Sequence, residues 1–146
     1  MKKRFVIVTV FTLALLKPCF SQNAEPWRAD QLLSPASLDS IIKSPAKDKP
    51  LIICVGPSAL IKTSVDAGPA KNEENLARLK QILSAENKDR EIVIYCGCCP
   101  WSHCPNIKPA DDALRAMGFT NVKVLYIADN FGANWVDKGY PTAKGD

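Results

Sequence analysis

The chain has 146 residues, 47% of them hydrophobic, and 19 basic against 15 acidic side chains give a formal charge of +4. That length suits one domain burying about two-thirds of its unfolded surface and is short for two. The charge excess comes from Lys2, Lys3, Arg4 and Lys17; without them 15 basic residues face 15 acidic ones, so no basic surface for nucleic acid is expected.

Those four cations belong to a pattern at the start of the chain. Lys2, Lys3 and Arg4 precede an apolar run over residues 5–16, Pro18 breaks any helix, and Cys19 and Ser21 supply small residues at the −3 and −1 positions. The order is that of a secretory signal peptide over residues 1–21, with an apolar run short for a membrane span. Lipoprotein processing at Cys19 fits less well, because Lys17 and Pro18 stand where such a site needs small residues. The expectation is an exported protein, periplasmic or secreted, with residues 22–146 as a single domain and no membrane attachment after cleavage.

Residues 22–26 read as a polar leader. Ser34-Pro35 is an N-cap followed by proline at the first helical position, and Leu38, Ile41 and Ile42 give a helical apolar stripe. A polar turn over residues 45–49 leads into the apolar run 51–55, a buried strand stopped by Gly56-Pro57. Residues 63–71 carry Gly68-Pro69 and little periodicity, so a loop is expected. Asn72 then caps a helix with Glu73 and Glu74 in its first turn and Leu76, Leu79, Ile82 and Leu83 on one face.

The turn 87–90 opens into Ile92-Val93-Ile94-Tyr95, β-branched and aromatic as a buried strand requires. The strand stops at Cys96, and a loop with Cys98, Cys99, Cys104 and the only histidine, His103, follows. Residues 110–117 read as a helix ended by Gly118 at C′, residues 122–127 as a strand, and residues 134–138 as a short helix stopped by Gly139. Strand and helix alternate, which argues an α/β fold: a three-layer sandwich with a central parallel sheet and helices on both faces.

The cysteines set the chemistry. Four of them fall between residues 96 and 104, a spacing too tight for staples that constrain an unfolded chain. An odd number after cleavage leaves at least one thiol unpaired within the monomer. A thiol at the end of a parallel strand lies where open α/β sheets place ligands. Cys96 is therefore the candidate nucleophile, and Cys99, His103 and Cys104 are candidates for a resolving or auxiliary role. Cys98, Cys99, His103 and Cys104 also form a sulfur-rich set suited to Zn or Cu. Trp101 reads as a loop anchor, Trp135 and Tyr140 as packing residues, and Cys54 as a buried structural thiol.

The strand ending in Tyr95-Cys96, the loop, the helix closing on Gly118-Phe119, and then Val122, Leu125, Trp135 and Gly139-Tyr140-Pro141 resemble the rhodanese-like domain. The likeness spans most of residues 22–146 and is most specific in the C-terminal half. It implies a rhodanese-like sandwich and a sulfurtransferase in which Cys96 bears a persulfide. Gly97, Cys98, Cys99, Pro100, Trp101 and Ser102 would then form the loop whose backbone N–H groups cradle an anionic sulfur group. The implied partners are a small sulfur donor and a thiol acceptor. The chain departs from the family pattern at Trp101, where an arginine is usual, at Cys54 and Gly56, and in a longer loop after Cys96. Two other readings stay open: thiol–disulfide exchange by Cys96 with Cys99 or Cys104, and a non-catalytic module that binds a soft metal. Oligomeric state and disulfide pairing are not given by the sequence.

Overall fold

A computed structural model describes residues 27–57 and 60–143, so the expected signal peptide lies outside the described residues. Five parallel strands form one sheet: β1 (Leu32–Leu33), β2 (Leu51–Cys54), β3 (Val65–Asp66), β4 (Ile92–Tyr95) and β5 (Val122–Leu125), in the order β1-β5-β4-β2-β3. The helices are α1 (Pro35–Lys43), α2 (Glu73–Ile82), α3 (Ile107–Ala116) and the one-turn α4 (Phe131–Asn134).

Alternation along the strands makes two apolar layers. Ile53, Val55, Ile92, Ile94, Val122 and Val124 face α2 and α3, meeting Leu79, Leu83, Ile107 and Leu114. Ile52, Cys54, Val93, Tyr95 and Leu125 face the other way, against Leu38 of α1, Phe131 of α4 and Trp135. The result is the expected three-layer α/β sandwich with helices on both faces of a parallel sheet. No helix among the described residues is long and apolar enough to cross a membrane.

The local signals act as their chemistry demands. Ser34 Oγ accepts the N–H of Ser37 at 3.1 Å, with Pro35 opening α1. Gly118 has φ +87°, and the N–H groups of Gly118 and Phe119 return to the carbonyls of Arg115 and Leu114, closing α3 in a Schellman motif. Trp135 is fully buried, its indole N–H donating to the Pro141 carbonyl at 3.0 Å and its ring set edge-on to Tyr140.

Four expectations need correction, and one strand, β1, was not anticipated. Residues 63–71 are not all loop, because Val65–Asp66 pairs with Ile53 and Cys54 as the edge strand β3. β1 has only two residues, too few for an alternating pattern to register. Helix α3 starts at Ile107 rather than at residue 110, since Pro109 falls in the first turn, where the N–H lacks an intrahelical acceptor anyway. The expected helix over residues 134–138 is instead α4 followed by a 3-10 turn, Val136–Lys138, with Trp135 out of helical geometry between them (φ −128°, ψ −62°). Asn72 does occupy the N-cap of α2, but its side chain makes no capping bond.

Candidate thiolate site

Strand order places the site. From β2 the chain turns outward to β3, and from β4 it turns outward the other way to β5. The connection leaving β2 carries Ile61 into the α1/α4 layer, whereas the one leaving β4 runs through Cys104 and Ile107 into the α2/α3 layer. The crevice between the ends of β2 and β4 is thus the topological switch point, where doubly wound sheets hold ligands. Cys54 lies opposite Tyr95, so the next residues, Val55-Gly56 and Cys96-Gly97, form the crevice walls.

The walls touch. A Cβ on Gly56 would lie 2.6 Å from Cys96 Sγ and 3.2 Å from both Cys96 Cα and Gly97 N, so only glycine lets the β2 backbone pass this close. Cys96 is 3% exposed. Its Sγ is 3.2 Å from Cys98 Sγ, which is 3.3 Å from Cys99 Sγ. Cys96, Cys98, Cys99 and Cys104 are free thiols, and these separations are contacts rather than bonds.

Cys96 is the thiol whose surroundings favour the anion. Its pKa is pulled down to about 5, chiefly by hydrogen bonding from the Cys104 thiol; burial opposes this, and the Cys98 N–H, the Cys98 thiol and the Asn106 amide add to it. Its neighbours move the other way, as proton donors to an anion must. Cys104 is raised by its bond to Cys96 and by burial. Cys98 is pushed up to about 12 by desolvation and by its bonds to Cys96 and Cys99. Asn106, the N-cap residue of α3, is 3% exposed. Its Oδ1 accepts the Lys71 N–H at 3.1 Å, which turns Nδ2 toward Cys96 Sγ at 3.6 Å. The sulfur therefore also sits at the positive end of α3.

The loop residues divide. Trp101 anchors the loop: it is buried, packs edge-on against Trp27 and beside Tyr126, and gives its N–H to the Ile127 carbonyl at 2.9 Å. With that N–H engaged and none on Pro100, the donors left for a cradle are those of Gly97, Cys98, Cys99 and Ser102. His103 is exposed and pairs through Nδ1 with Ser102 Oγ at 2.9 Å. Lys108 is paired with Asp112 on the outer face of α3.

The Sγ atoms of Cys96, Cys99 and Cys104 all lie within 4.8 Å of one another, a set able to bind a metal ion. The sequence had grouped Cys98, Cys99, His103 and Cys104 for that purpose. The structure keeps Cys99 and Cys104, brings in Cys96, and leaves His103 outside.

Two residues at the site carried no functional reading. In the sequence Gly56 marks the end of a strand and a departure from the family pattern, and Asn106 has no assigned role. An asparagine directly before an apolar helix is a cap-type signal, but its aim at Cys96 depends on the distant Lys71 N–H. An open groove of about 670 Å³ lined by Lys47, Lys49, Glu86 and Arg90 lies at the opposite end of the sheet, away from the thiols.

These features define an α/β sandwich with a buried thiolate at its switch point. No protein-family profile and no curated protein matches the chain. Among solved structures it is similar to the Alr3790 protein from Anabaena sp., at 19% identity and a TM-score of 0.56, over 75% of this chain and 89% of that one. That likeness concerns the fold.

Proposed function

We propose that this chain is an exported, rhodanese-like sulfurtransferase working through Cys96. The observation that carries the reading is a strand-end thiolate facing the switch-point crevice, with the Asn106 amide and the Cys98 N–H on its sulfur. The thiolate attacks the sulfane sulfur of a small donor; the donor's S–S bond breaks, its leaving group departs as an anion, and Cys96 becomes a persulfide. An acceptor thiolate then attacks the terminal sulfur and Cys96 leaves as thiolate. The N–H groups of Gly97, Cys98, Cys99 and Ser102 would stabilise the anionic donor and the terminal persulfide sulfur. Where the family usually has an arginine, Trp101 packs into the core, so a donor that depends on a guanidinium is disfavoured.

The test is intact mass after incubating reduced, metal-free protein with thiosulfate or a low-molecular-weight persulfide. One added sulfur is expected, absent in Cys96→Ser and removed by cyanide. No adduct from either donor would sink the transferase reading.

The close approach of Cys96, Cys99 and Cys104 favours a second reading, capture of a thiophilic ion, Zn²⁺ or Cu⁺, by the three sulfurs. Exchange with a substrate disulfide draws on the same contacts, with Cys104 or Cys99 displacing the reduced substrate from a mixed disulfide on Cys96.

A further inference from the structure

Ligand number separates the two ions. Zinc in protein sites is almost always four-coordinate, so three sulfurs leave one position to fill. Among the described residues no histidine, carboxylate or further cysteine joins Cys96, Cys99 and Cys104 within 4.8 Å of all three. Copper(I) is a soft d¹⁰ ion satisfied by three thiolates in a plane. An ion about 2.3 Å from each sulfur would sit in a triangle with sides of about 4 Å, and the three sulfurs already lie within 4.8 Å of one another. Cys96 and Cys104 are 3% and 7% exposed, and both belong to the apolar cluster with Trp101 and Ile107, which shields the ion from water. The Asn106 amide and the N-terminus of α3 face the cluster and offset its negative charge.

We propose that Cys96, Cys99 and Cys104 form a three-coordinate copper(I) site, and that copper in it switches off sulfur transfer by occupying the Cys96 sulfur. No electron moves: Cys99 and Cys104 release their protons, the Cys96 thiolate coordinates directly, and its lone pair is no longer free to attack a donor. Cys98 touches Cys96 and Cys99, but its sulfur falls outside the set of three and the proposed site does not use it. The inhibitory half rests on the sulfurtransferase reading; the site itself does not.

The experiment titrates reduced, metal-free protein anaerobically with Cu(I) against a chromophoric Cu(I) chelator. One ion per chain is expected, lost to the chelator in Cys99→Ser and in Cys104→Ser and retained in Cys98→Ser, with three sulfur neighbours by X-ray absorption. One equivalent of Cu(I) should displace bound Zn²⁺. Because buried Cys104 is the substitution more apt to disturb folding, half-buried Cys99 provides the independent check. Copper held as well by Cys99→Ser as by the native protein, or four sulfur neighbours falling to three in Cys98→Ser, would overturn the site. In the second arm, copper-loaded protein should gain no sulfur from thiosulfate or from a low-molecular-weight persulfide until copper is chelated away; a sulfur gain in loaded protein would overturn the switch. If copper-free protein also gains none, the sulfurtransferase reading and the switch built on it both fail, and the chelator competition still decides the site.

Discussion

One amide joins two distant parts of the chain at the reactive sulfur. Asn106 Oδ1 takes the Lys71 N–H, and the orientation this imposes leaves Nδ2 to donate to Cys96. Since the Asn106 side chain makes no capping bond to α3, its loss acts on the thiolate more than on the helix. A hydrogen bond to an anion contributes about 1.5–3 kcal/mol, so Asn106→Ala should raise the Cys96 pKa by about one unit or more. Alkylation rate against pH reads this as an upward shift of the inflection. An unchanged inflection would show that the Cys104 and Cys98 donors suffice. Asn106 was invisible as a site residue because its role comes from a backbone N–H 35 positions away, which no local pattern encodes.

At the scale of elements, the abutment of β2 and β4 sets how near a second backbone comes to the nucleophile. Gly56 fixes that distance, its absent Cβ matching the position of Cys96 Sγ and the adjoining backbone. Backbone cannot swing aside as a side-chain tip can. Gly56→Ala should therefore destabilise the fold by about 1–3 kcal/mol through overpacking and slow the reaction of Cys96. The midpoint of urea unfolding and the alkylation rate at fixed pH measure the two effects; a variant with native midpoint and native rate would show that the crevice yields. Strands β2 and β4 were legible because each is an apolar run of four residues ending at a marked stop, and β5 because Val122, Val124 and Leu125 are apolar around Lys123. β1 and β3 were not, because two-residue strands exist only through their partners. The Gly56–Cys96 contact was hidden for a related reason: it follows from the β2–β4 register.

Across the whole molecule, topology gathers what the sequence scatters. Gly56 follows β2, Lys71 precedes α2, Cys96 follows β4 and Asn106 is the N-cap of α3, and the outward turns from β2 and β4 bring all four to one crevice. The candidate nucleophile could be read from the sequence because a thiol directly follows an apolar strand. Its ionisation could not, since that depends on donors from Cys104, Cys98 and Asn106 converging in three dimensions. This convergence favours a Cys96 thiolate at neutral pH while Cys98 and Cys104 keep their protons. A group held at a lowered pKa is charged above that value and protonates as pH falls through it, so reactivity should be high at neutral pH and fall away in acid. The direct measurement is the rate of iodoacetamide labelling of reduced, metal-free protein across pH, with the labelled residue located by mass spectrometry. First labelling is expected at Cys96, with an inflection near pH 5. First labelling at exposed Cys98, or an inflection for Cys96 in the ordinary thiol range of about 8–9, would contradict it.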